Sequence, residues 1–123
     1  MSKNFKDLEV WKKGRELRKE VSAIVKSFPI EEKYKLIDQM IRSSRSVTAN
    51  IAEGYGRFHY QENIQFCRHS RGSLTELQDH FTVALDEGYI STETENEFDN
   101  KIEECIRMLN GYIRFLTNSK QSN

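Results

Sequence analysis

Apolar residues recur along the chain at spacings of three and four, the pattern of helices that bury one face. The clearest case is Met40–Arg57, MIRSSRSVTANIAEGYGR, around which the rest of the chain is organised. In it, Met40, Val47 and Ile51 return to one helical face, while polar and charged residues occupy another. This segment therefore predicts one long amphipathic helix.

Three further segments show the same period, and no stretch has the period of two that is typical of a strand. Together the four segments predict helices over about residues 8–28, 31–54, 60–87 and 92–117, with a polar tail at 118–123 that we expect to fray. Amphipathic helices joined by short loops pack against their neighbours in opposite directions. The pattern thus predicts an all-α, antiparallel up-down-up-down four-helix bundle that forms one domain over residues 1–123.

Start and stop signals refine these limits. Asp7 is a candidate N-cap of the first helix, because its carboxylate can accept a backbone N–H of the first turn. Gly54 and Gly56 are candidate stop signals of the second helix. Thr92 and Glu95 have the spacing of a capping box at the start of the fourth helix.

The apolar stripes of the four helices define the predicted core. Gly14 lies within the first stripe, where it lets a neighbouring helix approach closely. Cys67 and Cys105 also lie within stripes, where a free cysteine behaves as a small hydrophobic residue. The predicted core residues are Trp11, Leu17, Val21, Met40, Val47, Ile51, Leu74, Leu77, Phe81, Ile102 and Leu109.

Composition places the chain among ordinary helical proteins, with 31% charged and 37% hydrophobic residues in a length of 123. A chain of this length can bury a core without metal or disulfide staples. The longest apolar stretches are two or three residues, and the N-terminal segment has no apolar run of signal-peptide length. We expect no membrane association and a cytoplasmic location.

Charge is balanced overall but divided between the two halves. Residues 1–71 hold 15 of the 19 basic and 9 of the 19 acidic residues, a net charge of +6, and residues 72–123 carry −6. Such asymmetry can mark a basic binding face. Alternatively, the basic and acidic halves face each other or a partner subunit.

Five arginines are the candidate phosphate-contacting residues, because the planar guanidinium group donates paired hydrogen bonds to phosphate oxygens. Asp38 lies one turn before the first of them, so an intrahelical or intersubunit salt bridge is the alternative interpretation. The candidate nucleic-acid-binding residues are Arg42, Arg45, Arg57, Arg68 and Arg71.

The motifs resemble those of a bacterial four-helix-bundle family, the 23S rRNA-intervening-sequence proteins, which are related to the accessory variability protein of diversity-generating retroelements. The resemblance is strongest at IRSSRSVTANIAEGYGR (Ile41–Arg57). It extends to the segments FKDLEVWKKGREL (Phe5–Leu17), EEKYKL (Glu31–Leu36), GSLTEL (Gly72–Leu77), EGYIS (Glu87–Ser91) and RMLNGYIRFL (Arg107–Leu116).

The resemblance implies a four-helix bundle and a homo-oligomer, with a pentamer favoured, because the related accessory proteins form homopentamers whose basic surfaces contact nucleic acid and a reverse transcriptase. It also gives Asn50, Glu53 and Gly54 structural or interface roles: Asn50 would bridge helices or tie down the loop after Gly54, and Glu53 would hold Arg57 or an arginine of a neighbouring chain. The family often has a proline where this chain has Thr48, so we expect a straighter second helix here.

Catalytic signatures are missing from the sequence. The three histidines form no HExxH or Glu-x-x-His pair, and no glycine-rich phosphate loop occurs. We therefore expect no metal, no cofactor and no enzymatic activity. Two interpretations remain: an oligomeric module that binds RNA, DNA or a nucleoprotein partner through a basic face, or a structural or protein-interaction scaffold with no nucleic-acid role.

Overall fold

Four α-helices account for most of residues 4–122, the part of the chain that the computed structural model describes. Short 3-10 helices at Phe5–Asp7, Val25–Ser27 and Ile30–Glu32 fill the connections, and the described residues contain no strand. The all-α four-helix bundle predicted from the apolar pattern is confirmed. The helices are α1 (Glu9–Ile24), α2 (Leu36–Gly56), α3 (Tyr60–Asp86) and α4 (Thr92–Ser122).

Contacts between neighbouring helices show that they run in opposite directions. Between α2 and α3, Ser73 Oγ donates to Ser46 Oγ at 2.8 Å, and the end of α2 at Gly54 lies against Asn63 near the start of α3. Residue numbers therefore increase along α2 in the direction in which they decrease along α3, so the two helices are antiparallel. Helix α4 packs against both α3 and α1, which closes the bundle.

The core lies between the four helices, where all eleven predicted core residues are buried. Phe81 and Phe98 stack within it with ring centroids 4.5 Å apart. Cys67 and Cys105 are free thiols in this core, and burial raises the pKa of Cys67 to about 12 and that of Cys105 to about 11. Both cysteines pack in the apolar core, and the Cys67 thiol also donates to Asn63 Oδ1 at 3.6 Å.

Helix α2 begins later than the sequence indicated, at Leu36 rather than near residue 31. Pro29 holds an extended backbone before a 3-10 turn, and Lys35 departs from helical geometry. The Glu32 carboxylate accepts from the Leu36 backbone N–H at 3.4 Å and from the Tyr89 hydroxyl at 2.8 Å. Glu32 therefore caps α2 from outside it, and Tyr89 holds it there.

Three other predicted helix limits are also wrong. Asp7 does not cap α1, because it belongs to the preceding 3-10 helix and Leu8 occupies the N-cap position. At α4 the cap lies one residue earlier than predicted: Ser91 Oγ accepts from the Thr94 backbone N–H at 3.1 Å. Gly54 does not stop α2, which continues to Gly56.

The tail was expected to fray from residue 118, but α4 continues to Ser122. Leu116 is buried on the core side of this last stretch, and the Lys120 ammonium group donates to the Gln61 side chain of α3. These contacts tie the end of α4 to the bundle. Asn123 lies outside the described residues.

Candidate functional site

The five candidate arginines do not converge on one surface. Arg42 Nη1 lies 3.7 Å from the Asp38 carboxylate one turn earlier on α2, as the alternative interpretation indicated. Arg71 Nη1 donates to Asn110 Oδ1 at 2.8 Å, which joins α3 to α4. Arg71 therefore lies at the contact between α3 and α4, whereas Arg42 lies on α2.

Arg57, at the end of α2, is held by two carboxylates. Its Nε atom lies 3.2 Å from Glu53 Oε2, and its Nη1 atom lies 3.6 Å from Glu62 Oε2. The guanidinium carbon also lies 5.0 Å from the centroid of the Phe66 ring. The predicted Glu53–Arg57 pair is thus present, and Arg57 has two carboxylate partners at a half-exposed position.

Arg45 and Arg68 are exposed, but only Arg45 lies beside another cation in a shared depression. This depression, between α1 and α2, has a volume of about 550 Å³. It is lined by Phe5, Trp11, Arg18, Arg45, Thr48, Ala49 and Ala52.

Helical spacing explains why the cations meet there. Trp11, Arg15 and Arg18 are four and three residues apart on α1, so they share one face of that helix. On α2, Ala49 and Ala52 follow Arg45 at the same spacings and share its face of the helix. Because their side chains are small, the surface is concave beside Arg45.

The depression continues past Trp11 to an adjoining concavity lined by Lys6, Lys12, Arg15 and Arg18. The Arg15 guanidinium carbon lies 5.9 Å from the centroid of the Trp11 ring, and Arg18 Nη1 donates to Thr48 Oγ1 at 2.8 Å. Of the five cations of these two concavities, we call the four other than Lys12 the basic face: Lys6, Arg15, Arg18 and Arg45.

No carboxylate within residues 8–122 forms a salt bridge with Arg15, Arg18 or Arg45. The nearby Lys12, by contrast, pairs with Glu9 at 3.5 Å. A local excess of positive charge in a concave surface attracts anions. The basic face can therefore hold anionic groups that the protein itself does not provide.

The motif residue Asn50 has a structural role. Its Nδ2 atom donates to the backbone oxygen of Ser46 at 2.9 Å and to Ser46 Oγ at 2.8 Å, and Ser46 in turn accepts from Ser73 of α3. Asn50 thus orients a serine that bridges the helices instead of bridging them itself. Gly54 allows close approach, because a Cβ atom there would lie 2.6 Å from Asn63 Oδ1.

Sequence reasoning missed a second concavity at the end of the bundle where α2 passes into α3. This groove has a volume of about 530 Å³, and we call it the aromatic groove. The nearness of three aromatic residues at positions 55, 58 and 60 was the available signal. The groove is lined by Leu8, Tyr55, Phe58, His59, Tyr60, Asn63, Tyr112, Phe115 and Leu116.

The floor of the aromatic groove is polar. Asn63 is buried, and its Nδ2 atom donates to the Tyr112 hydroxyl oxygen at 3.2 Å. Burial is the main cause that raises the pKa of Tyr112, so this hydroxyl keeps its proton. The Tyr112 ring stacks on Phe115 with a centroid distance of 6.3 Å. The groove thus combines ring surfaces with hydroxyl and amide groups.

Within residues 4–122, no three His, Cys, Asp or Glu side chains are grouped so that they could hold a metal ion. His80 Nε2 lies 2.9 Å from the carboxylate of Glu76, one turn earlier on the same helix.

None of the helices, over residues 4–122, is both long and apolar enough to cross a membrane.

Comparison with known proteins confirms the family that the motifs indicated. A family model described as 23S rRNA-intervening sequence protein matches residues 6–111. A solved structure of similar fold is a protein of unknown function from the S23 ribosomal protein family of Bacteroides thetaiotaomicron, with a TM-score of 0.78 and 22% identity over 85% of this chain and 95% of that chain. No curated protein matches the sequence.

Proposed function

We propose that this chain, which belongs to the 23S rRNA-intervening sequence protein family, is a non-enzymatic module that binds the phosphate groups of RNA or DNA through its basic face. One observation carries the proposal: Arg15, Arg18 and Arg45 gather around Trp11 in a concave surface, without a salt bridge to any carboxylate of residues 8–122. Guanidinium groups arranged in this way suit phosphate oxygens.

Of the five arginines that the sequence indicated, one belongs to the proposed binding surface. Arg45 belongs to the basic face, whereas Arg42 and Arg57 are paired with carboxylates, and Arg71 lies at the contact between α3 and α4 and lines neither basic-face concavity. Arg68 is exposed on α3 and lines none of the basic-face concavities. We therefore expect Arg45, and not the other four, to contribute to binding.

Salt dependence tests the proposal. Each phosphate that the protein neutralises on a single strand contributes about 0.7 to the slope of log affinity against log salt concentration. The double variant Arg15→Gln/Arg45→Gln should therefore lower the slope by about 1.4 and weaken binding to all sequences alike. Fluorescence anisotropy with a labelled single-stranded RNA over a salt series measures this slope.

The matched control removes two exposed cations near the other end of the same helices. Lys26→Gln/Lys35→Gln changes the net charge by the same amount, and these lysines lie outside the basic face. Arg57→Gln is a second control, because that arginine is already paired with Glu53 and Glu62. A wild-type protein that binds no RNA at low salt contradicts the proposal, as does an equal loss of slope in the Lys26/Lys35 control.

A scaffold is the second candidate function, and one observation favours it. Ala49 and Ala52 lie beside Arg45 in the open seam between α1 and α2, where small side chains would let a helix of another protein or copy approach closely. Under this alternative, Arg15→Gln/Arg45→Gln lowers the solution mass and leaves RNA binding unchanged.

The homopentamer implied by the family resemblance stays a prediction. A ring built from one repeated head-to-tail contact closes at a single number of subunits, so the solution mass should have one discrete value. Multi-angle light scattering at micromolar concentration checks this expectation, and a monomer there contradicts it.

A further inference from the structure

The aromatic groove and the basic face adjoin each other around the N-terminal 3-10 helix. Phe5, at its start, lines the basic-face depression, and Leu8, directly after it, lines the groove. On α2, Ala52 lines the depression and Tyr55 lines the groove, one helical turn further on. A flexible chain that follows one concavity therefore reaches the other directly.

The groove also presents rings to solvent. The exposed fraction is 87% for Phe58, 61% for Phe115 and 40% for Tyr60. Phe58 has a φ of 61°, in the left-handed region that is unfavourable for a bulky side chain. The fold gains no burial from this ring in return, and a strained residue of this kind supports a hypothesis of function at its position.

The groove floor can direct hydrogen bonds at a ligand. The Tyr112 hydroxyl oxygen accepts from Asn63 Nδ2 at 3.2 Å, so a hydroxyl group and an amide group lie together in the groove. Groups of this kind exchange hydrogen bonds with a carbonyl oxygen or a ring nitrogen. Beside the groove, Arg57 is paired with both Glu53 and Glu62, so these three side chains carry a net charge of −1 and offer no free cation to a phosphate. This combination suits a flat, uncharged ring that carries hydrogen-bond acceptors.

We propose that the aromatic groove is a stacking site for an unpaired nucleobase of a single-stranded nucleic acid whose phosphates lie on the basic face. This inference rests on the proposed function and adds to it a preference for single strands with exposed bases. Stacking on aromatic side chains is the common way in which proteins hold unpaired bases, and it tolerates different sequences. The exposed rings of Phe58 and Phe115 provide the stacking surfaces, and Tyr112 donates to the base edge.

The test compares two probes that share a phosphate backbone, a short oligouridine and an abasic oligonucleotide of the same length. Phe58→Ala and Phe115→Ala should each weaken binding of oligouridine by about 5- to 150-fold, the range measured for loss of one base–aromatic stack. Binding of the abasic strand should not change. The salt slope for both probes should stay at the wild-type value, because no phosphate contact is removed.

Tyr34→Ala is the matched control, because Tyr34 is an aromatic residue that is 83% exposed, in the connection between α1 and α2 and outside the groove. It should bind both probes like the wild type. All three substitutions are at exposed side chains, so circular dichroism should show an intact helical fold in each case.

The outcomes separate this inference from the proposed function. If Phe58→Ala and Phe115→Ala bind oligouridine as the wild type does while Arg15→Gln/Arg45→Gln lowers the salt slope, the stacking site is overturned and the basic face stands. If the groove variants instead lower the solution mass, the groove is a contact with another copy of this chain, and the stacking site is again overturned. If the wild type binds neither probe, both proposals fail.

Discussion

Helix α2 meets its two neighbours in different ways. Toward α3 the seam is closed: Ser70 Oγ donates to the Val47 backbone oxygen at 2.8 Å, fully buried, and Gly54 lets the helices approach closely. Toward α1 the close approach at Gly14 gives way to an open depression that holds Arg18 and Arg45.

The two contacts of α2 differ in what they offer: the contact with α3 contributes to stability, and the contact with α1 provides a candidate binding surface. A seam without space for water gains from packing and from buried hydrogen bonds, and it offers nothing to a ligand. A seam lined by alanines and exposed arginines gains less, but it keeps its charges in contact with solvent. One amphipathic helix thus contributes to the core on one side and to the candidate site on the other.

The largest effect is expected in the closed part of the bundle. Leu77→Ala should lower the free energy of unfolding by about 2–5 kcal/mol, because Leu77 on α3 is fully buried and its loss leaves a cavity. Urea denaturation followed by circular dichroism measures this change. Val83→Ala, at a partly exposed position of the same helix, should cost far less, and equal losses in the two variants would contradict the assignment of the core.

Glycine substitutions compare the two seams directly. Gly54→Ala should cost about 1–3 kcal/mol, because the added Cβ atom would lie 2.6 Å from Asn63 Oδ1 and 3.0 Å from Phe66 Cβ. Gly14→Ala should cost less, since its nearest neighbours lie farther away, at 3.1 and 3.2 Å, and a shift of a few tenths of an ångström relieves the contact. Thermal denaturation of the two variants gives the order.

Gly72→Ala is the control for these glycines, because no atom lies within 4 Å of the added Cβ position. It should stabilise the protein by about 0.5–1 kcal/mol through the higher helix propensity of alanine. A Gly54→Ala protein that gains stability as Gly72→Ala does would show that the seam between α2 and α3 is not closed.

Loss of a hydrogen bond should cost more stability at the contact between α2 and α3 than at the contact between α1 and α2. Ser70→Ala should cost about 1 kcal/mol, because it removes a fully buried bond to the Val47 backbone oxygen. Thr48→Val removes the acceptor of Arg18 across the open seam and should cost about 0.5 kcal/mol, since water can hydrate that half-buried arginine. Chemical denaturation of both variants measures the difference, and a larger loss for Thr48→Val would reverse the comparison.

A further small effect concerns the strained residue of the aromatic groove. Phe58→Gly should be more stable than Phe58→Ala by about 0.5–1 kcal/mol, because glycine avoids the steric cost of a positive φ and loses part of that gain through its entropy when unfolded. Differential scanning calorimetry of the pair checks it. Equal stability would remove strain at Phe58 as an argument for function.

Much of the fold follows from sequence alone. The spacing of apolar residues determines which face of each helix is buried, because a helix repeats every 3.6 residues whatever it packs against. Trp11, Val47, Leu77 and the other predicted core residues were therefore identified correctly. The Glu53–Arg57 pair was also predictable, since residues four apart on a helix are neighbours before any tertiary contact forms.

Helix ends depended on contacts that the sequence does not show. Glu32 had been expected inside the second helix, but it caps that helix from outside because Tyr89, from a distant loop, holds its carboxylate. The tail around Lys120 was predicted to fray, but it stays helical where the Lys120 ammonium group donates to the Gln61 side chain of α3. Local propensities are weak beside such contacts.

Tertiary structure alone decided which arginines share a surface. The sequence grouped five arginines by residue type and charge, and the fold placed Arg71 beside Asn110, Arg57 between two carboxylates and Arg45 beside Arg18. The aromatic groove likewise takes its lining from both ends of the chain. Position along one helix follows from a local repeat, whereas nearness between helices depends on how their buried faces pack, and that packing is a property of the whole bundle.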